Sequence, residues 1–474
     1  MRGLRMLKLL LAGVCAAAGP GLATPAPGQT VDDAMAAAYR TNPQLLAARQ
    51  QLRALDEGVP QALSGWRPTV MVNGAVGKAR DVDRTRDPTN TFPAFNERSW
   101  RTPDSASVLV TQPLYRGGQT LAGVSQAENQ IQAGRAALQS AEQQVLLAAA
   151  TAHINLFRDQ EILDISIRNE QTLAQQLDAT LRQFRVQDVT RTDLSQAESR
   201  HAQGHASRIQ AEGNLAASRA VYLQVVGLPA PTRVSRAHPP PGVPTSVADL
   251  DAGIGRNPDI AVAHFNEKAA ADGVDLVLGQ KLPSVSLNGI VQRNTEVLFR
   301  GVQQDNATVS LSVTMPLYQA GFVDAQARAA KETAGQRRTD VETQRRSTTQ
   351  AATQTWELLT SARAQVEWLH TQASAAETAL QGVQREQQVG LRTVIEVLNA
   401  QQDVFTASIN LATAERDTTA LSYQLVQAVG SLTATELALP VEVYDPDRHY
   451  DQERTRWFGT DIPDGDRAPP AAGR

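Results

Sequence analysis

Ala307-Thr-Val-Ser-Leu-Ser-Val-Thr-Met-Pro-Leu-Tyr-Gln-Ala-Gly321 sets aliphatic against hydroxyl side chains at every second position, then breaks at Pro316. Period two puts the aliphatic groups on one face of a strand and the hydroxyls on the other. The alternating run is about the length that crosses a bilayer when tilted. Its polar partners are small and uncharged, which suits a face turned to a water-filled lumen. A soluble hairpin with one solvated face would read the same way from this strand alone.

The chain holds more of this pattern. Ser105–Thr111, Thr69–Lys78 and Ser284–Val291 are weaker versions, making four candidate strands in two pairs. Pro113-Leu-Tyr-Arg-Gly-Gly118 falls on Pro316-Leu-Tyr-Gln-Ala-Gly321 when shifted by 203 residues, and the same shift lays Asp193 on Glu396, Ala197 on Ala400 and Val226-Gly227 on Val429-Gly430. One offset across so long a stretch fits a helical hairpin of fixed register, since loops accept insertions and packed helices do not. Upstream, Asn42-Pro43 matches Asn257-Pro258 and Trp66-Arg-Pro68 matches Lys281-Leu-Pro283 at an offset of 215. The first copy therefore carries twelve extra residues between Pro68 and Pro113, where a surface loop is expected. This divides the chain into a leader (1–23), a first repeat (24–237), a Pro-rich linker (238–249), a second repeat (250–440) and a tail (441–474).

Residues 31–58 and 250–278 read as helices, with each Asn-Pro marking a start or kink. Pro113 and Pro316 are expected to end their strands, and Gly118 and Gly321 to allow a sharp turn into helix. From Leu121 the spacing becomes heptad-like: Ile131, Leu138, Val145 and Ala152 form one series, Ala127, Gly134, Ala141 and Ala148 another. Small residues at alternate core positions let helices approach closely. A helix from there to Phe184 spans about 100 Å at 1.5 Å per residue, turning near Gln187 in the first copy and Gly390 in the second. A soluble coiled coil explains this half alone but not its fusion to strands of membrane length.

The 4% aromatic content matches long helices in thin layers. A net charge of −4, mixed along the chain, gives no basic face for nucleic acid. Arg2, Arg5 and Lys8 precede an apolar run and small residues at Gly21 and Ala23, the pattern of a secretory signal. The single cysteine, Cys15, lies within it, so the mature chain is expected to have neither disulfide nor thiol nucleophile. Beyond residue 23 no apolar run is long enough for a spanning helix, which leaves β-strands as the route into a membrane. Four strands cannot close a barrel, and small closed barrels need about eight. Two chains would supply eight strands and three would supply twelve.

The segments Arg80–Pro103 and Thr295–Asp305 are polar and read as cell-exterior loops, with Phe92, Phe95, Trp100, Phe299, Tyr115 and Tyr318 near strand ends, as in an aromatic belt. His201 and His205 have a zinc-compatible spacing but no third ligand, so a solvated helix face is expected there. Gly74-Ala-Val-Gly-Lys78 lacks the spacing of a phosphate loop. With no nucleophile elbow or paired acids, no enzyme, cofactor or metal is expected.

The duplicated strand–Pro-Leu-Tyr-x-x-Gly–helix junction, the duplicated Asn-Pro and Val389-Gly-Leu-Arg-Thr-Val-Ile-Glu-Val-Leu-Asn-Ala400 together resemble the TolC family of outer-membrane channels. The resemblance covers about residues 30–440. It implies a mainly α fold with a small β part, in which three internally duplicated chains form a 12-stranded transmembrane barrel continued by an antiparallel coiled-coil tunnel. It also implies a Gram-negative outer-membrane location, a periplasmic adaptor and an inner-membrane transporter of ABC type. The tail from Tyr444 to Gly459 resembles that of members serving type I secretion of haemolysin- or cyclolysin-like toxins, so an exported protein substrate is expected. Small-molecule efflux is the alternative, and a periplasmic adaptor a remote one.

By the same resemblance, Arg392 would bind Thr192 and Asp193 of a neighbouring hairpin and hold the inner aperture shut, with Gln387 where an aromatic gate partner is often found. Glu396 would line a constriction ring, with Asn399 replacing a second acid. Val389, Gly390 and Leu391 match the family's adaptor-docking tip well, whereas Val186, Gln187 and Asp188 match it poorly.

Overall fold

The computed structural model describes residues 29–85, 95–297 and 301–462. The leader, Phe92, Phe299 and the last twelve residues lie outside them.

Each repeat begins with short helices. The segment read as one helix over 31–58 is broken into α1 (Val31–Thr41), α2 (Pro43–Asp56) and α3 (Gly58–Leu63), and its counterpart into α6 (Val247–Ile254) and α7 (Pro258–Gly279). The duplicated Asn-Pro performs one duplicated task. Asn42 and Asn257 are both buried, and their Oδ1 atoms accept the backbone N–H of Gln44 and Asp259 at 2.9 Å each, capping helices that open on proline. Their Nδ2 atoms donate across to Val225 O at 3.0 Å and Ala428 O at 2.9 Å, at the ends of the two return helices.

Strands β1 (Thr69–Val76), β4 (Asp104–Arg116), β5 (Ser284–Thr295) and β6 (Gln303–Thr314) form one antiparallel sheet in the order β1-β4-β5-β6. The two expected strand pairs are thus joined through β4 and β5. The segment read as a polar loop over 80–103 is partly a ribbon, in which β2 (Ala79–Thr85) pairs with β3 (Phe95–Arg101). Its register continues that of β1 and β4, with Gly77 N bonded to Pro103 O at 2.9 Å between the two ladders. The first hairpin occupies 43 residues from Thr69 to Thr111 and the second 31 from Ser284 to Thr314, so the twelve extra residues lengthen a hairpin.

The prolines act differently in the two copies. β6 stops at Thr314, before Pro316. β4, by contrast, runs through Pro113 to Arg116, because the pairing with β5 is irregular between Pro113 and Tyr115 and the missing donor falls at that bulge.

Gly118 (φ +76°) and Gly321 (φ +77°) then turn the chain into two 67-residue helices, α4 (Gln119–Arg185) and α8 (Phe322–Gln388). Each is followed by a return helix of about half its length, α5 (Arg191–Val226) or α9 (Val394–Ala428). Along α4 the series Ile131, Leu138, Val145 and Ala152 is buried throughout. The second series begins at buried Ala127 and tight Gly134, where a Cβ would meet Leu55 at 2.7 Å, and reaches exposed Ala148. A straight helix drifts about 20° per heptad, which carries a seven-residue series off the contact line.

The two long helices are not equivalent. α4 buries 20 residues against α1, α2, α3, α5, α7 and α9, whereas α8 buries five. The tail returns along the first repeat, and its helix α10 (Asp447–Glu453) packs on α2.

Candidate functional site

Two features stand out: an open sheet at one end and two hairpin tips at the other. Directly paired residues share a sheet face. One face therefore carries Val70, Val72, Val108, Val110, Leu287, Val291, Val309, Leu311 and Val313; each is exposed, and nothing in the described chain covers them. The opposite face is mostly polar, with Thr69, Asn73, Ser105, Ser107, Thr111, Asn288, Thr308, Ser310 and Ser312, and is crossed by one apolar row, Met71, Leu109 and Ile290. At its outer end the apolar face closes on Arg293 and Asp305, directly paired and joined by bonds of 2.7 and 3.0 Å. Beyond the other end, Leu317 and Tyr318 are among the most exposed apolar side chains.

Such a face loses about 25 cal/mol per Å² against water, so it belongs in an apolar medium. Its strand edges, β1 and β6, have no partner among the described residues. They run in opposite directions, so β6 of one copy meets β1 of another in the antiparallel sense already used in the sheet. Of the aromatic positions read as a belt, Trp100, Tyr115 and Tyr318 are exposed. No helix of the described residues is long and apolar enough to cross a membrane.

At the far end the chain reverses twice. In the first tip, Thr190 caps α5 by a reciprocal box: its Oγ1 accepts Asp193 N at 3.1 Å, while Asp193 Oδ2 accepts Thr190 N at 3.0 Å. In the second, Thr393 and Glu396 form the matching box on α9, with Thr393 N donating to Glu396 Oε2 at 2.8 Å. The signature Thr-x-x-Asp/Glu was present at both places in the sequence. Asp193 and Glu396 thus first serve their own helices.

Arg392 connects the second box to the end of α8. Its Nη1 lies 2.7 Å from Glu396 Oε1 and its Nε 2.8 Å from Glu386 Oε2. The bond from Thr393 N, then the guanidinium, hold the Glu396 carboxyl down to about 2. Within one chain, therefore, Arg392 is held by acids of its own hairpin, and neither Asp193 nor Thr192 is among its bonded partners.

Asn399 Oδ1 accepts from Arg200 Nη2 at 3.0 Å, which ties α5 to α9. Just behind the tips, Leu173, Ala197, Val394 and Leu398 form a small buried cluster that holds the two hairpins together. Gln387 contributes its backbone carbonyl, which accepts Gly390 N at 3.0 Å. Val186, Val389 and Leu391 are each at least 71% exposed, although apolar. The first tip has Asp188 where the second has Leu391, so its apolar surface is the smaller. His205 Nδ1 is 2.6 Å from Glu170, within an exposed ion-paired helix face.

A single sheet with one apolar and one hydroxyl face, two free edges and long coiled hairpins is the build of one subunit of a tunnel-forming membrane channel. The sequence model of the family described as "Outer membrane efflux protein" matches residues 35–227 and 251–431, the two structural repeats. The chain belongs to that family. It is 31% identical over 439 residues to the outer membrane efflux protein BepC of Brucella suis, covering 92% of this chain and 93% of BepC. It is 22% identical over 413 residues to the outer membrane protein TolC of Vibrio cholerae, covering 84% and 90%. Among solved structures, the CmeC outer membrane channel of Campylobacter jejuni superposes with a TM-score of 0.73 at 14% identity, covering 90% of both chains. That last likeness concerns the fold.

Proposed function

We propose that three copies of this chain close a 12-stranded outer-membrane barrel, and that their hairpins form a tunnel through which a periplasmic adaptor and an inner-membrane transporter pass substrate out of the cell. The observation that carries this reading is the four-stranded sheet, apolar on one face and hydroxyl-lined on the other, with both edges open. An open edge in lipid leaves unpaired backbone groups at several kcal/mol each, and self-association removes them. The sparsely buried α8 gives each copy a second surface for its neighbour.

In this reading the apolar tips, Val389 and Leu391 above all, dock the adaptor. Arg392 exchanges its own acids for Asp193 and Thr192 of a neighbouring hairpin in the closed aperture, and Glu396 with Asn399 line the constriction. The channel has no chemistry of its own.

Efflux is the first reading of its cargo, supported by the likeness to an efflux protein over nearly the whole chain. Protein export is the second, favoured by the resemblance of the tail from Tyr444 to Gly459 to type I secretion members. Deleting the gene separates them. Sensitivity to small toxic compounds with an unchanged secreted proteome supports efflux, and loss of one large protein from the medium supports export. Neither effect would contradict both.

A further inference from the structure

We propose that the corner between α2 and α3 and the tail helix α10 together form a zinc-type metal site, with His449, Glu57 and Glu453 as ligands and Asp56 behind the imidazole. One ring nitrogen of His449 and one carboxylate oxygen each of Glu57 and Glu453 lie within 4.8 Å of one another. His449 and Glu453 are 5% and 3% exposed, so water does not solvate this group freely. His449 Nδ1 is 3.0 Å from Asp56 Oδ2, which leaves Nε2 as the donor atom without a hydrogen bond among the described residues. Asp56 is itself 1% exposed, and its Oδ1 is buried with no hydrogen-bond partner among the described residues.

The charge balance points the same way. Asp56, Glu57 and Glu453 gather in one corner, and the guanidinium bonded there is that of Arg456, 2.9 and 3.1 Å from the Glu453 oxygens. Arg135, which faces Asp56, is bonded 2.6 Å away to Asp447. Three carboxylates thus gather around one guanidinium and one imidazole, and a bound cation would offset their mutual repulsion. The Arg456 ion pair alone would account for Glu453, but among the described residues it leaves the Glu57 carboxylate without a hydrogen bond and His449 Nε2 unused.

The donor set selects the ion. One imidazole with two carboxylates suits zinc, whereas calcium and magnesium favour oxygen alone. A carboxylate behind a ligating imidazole fixes the tautomer and raises the ring's basicity, and Asp56 stands there. Tetrahedral zinc holds its ligands about 3.3 Å apart, so the three side chains close in by roughly an ångström on binding. A cavity of about 500 Å³ lined by Glu57, His449, Glu453 and Trp457, with Arg67 and Arg456 also on its wall, gives an entry path and room for a water ligand. The site would staple the tail to the first repeat, joining segments far apart in the chain.

The test uses the full chain purified in detergent, stripped with a chelator and titrated with zinc chloride by calorimetry, with tryptic cleavage after Arg454 and Arg456 followed in parallel. The expected result is one zinc per chain and at least tenfold slower cleavage with zinc. Glu57→Gln should lose both responses while its metal-free form melts no lower than metal-free wild type, since the change removes a like charge. Asp56→Asn should weaken zinc binding by tenfold or more. Wild type that binds no zinc, or Glu57→Gln that binds it as wild type does, overturns the site.

Discussion

Gln187 and Gly390 hold the same place in the two hairpin turns, 203 residues apart, and both backbones are left-handed there, at φ +63° and +79°. Glycine enters this region freely, whereas a side chain there costs about 1 kcal/mol or more. The first tip therefore stores strain that the second does not. Gln187→Gly should slow amide exchange at the first tip several-fold, and Gly390→Ala should speed it at the second. Equal responses at the two tips would contradict the assignment.

Arg392 is the charged link within the second tip, bound to Glu386 and Glu396 at once. All three groups are solvated, so their removal should alter the aperture more than the fold. Arg392→Ser should raise single-channel conductance in planar bilayers and leave the melting temperature unchanged. Unchanged conductance would remove Arg392 from the gate.

The sheet makes a sharper demand, because adjacent residues face different media. Val309 lies on the apolar face and Ser310 on the hydroxyl face. Val309→Arg should destabilise the folded barrel by about 2–4 kcal/mol if it sits near the bilayer midplane. Ser310→Arg should fold nearly as wild type while shifting ion selectivity towards anions. Urea-refolding titrations in lipid vesicles measure the first effect and reversal potentials the second.

His153 provides a pH test. It is buried on α4 and its Nε2 is 2.9 Å from Ser235 O. Burial holds its imidazole below the ordinary range, with the Ser235 bond opposing. The folded protein then binds this proton less readily than the unfolded chain. The stability tied to neutral His153 is complete above about pH 6.5 and is lost as pH falls towards the lower folded value. Between pH 8 and 5.5 wild type should lose more thermal stability than His153→Gln, whose amide can still donate to Ser235 O. Parallel losses would contradict this assignment.

Much of the fold was legible because duplication makes one register error visible twice. The Asn-Pro pair, the glycine turns into α4 and α8 and the four alternating strands recur at one of two fixed offsets, 215 before the twelve extra residues and 203 after them, and occupy matching positions. The β2–β3 ribbon escaped because Arg, Asp and Asn lack the apolar alternation that marks a half-buried strand, and this ribbon extends past the sheet. The path of β4 through Pro113 escaped because a bulge supplies what a regular ladder forbids. At the tips, Arg392, Asp193 and Glu396 stand out by their charge, while the less conspicuous capping boxes are carried by Thr190 and Thr393. The cluster of Asp56, Glu57, His449 and Glu453 was beyond reach, since its two halves lie nearly four hundred residues apart and no local pattern joins them.

Edge pairing between copies is the most direct test of the channel reading. The sole cysteine of the chain is Cys15, in the leader segment, so single cysteines placed in pairs along β1 and β6 report contact between these strands. At the matching register, oxidation of the protein in outer membranes should give covalent trimers that denaturant and heat do not separate, with no larger ladder because the ring is closed. A chain that remains monomeric at every register, or that is extracted in water without detergent, would contradict the account.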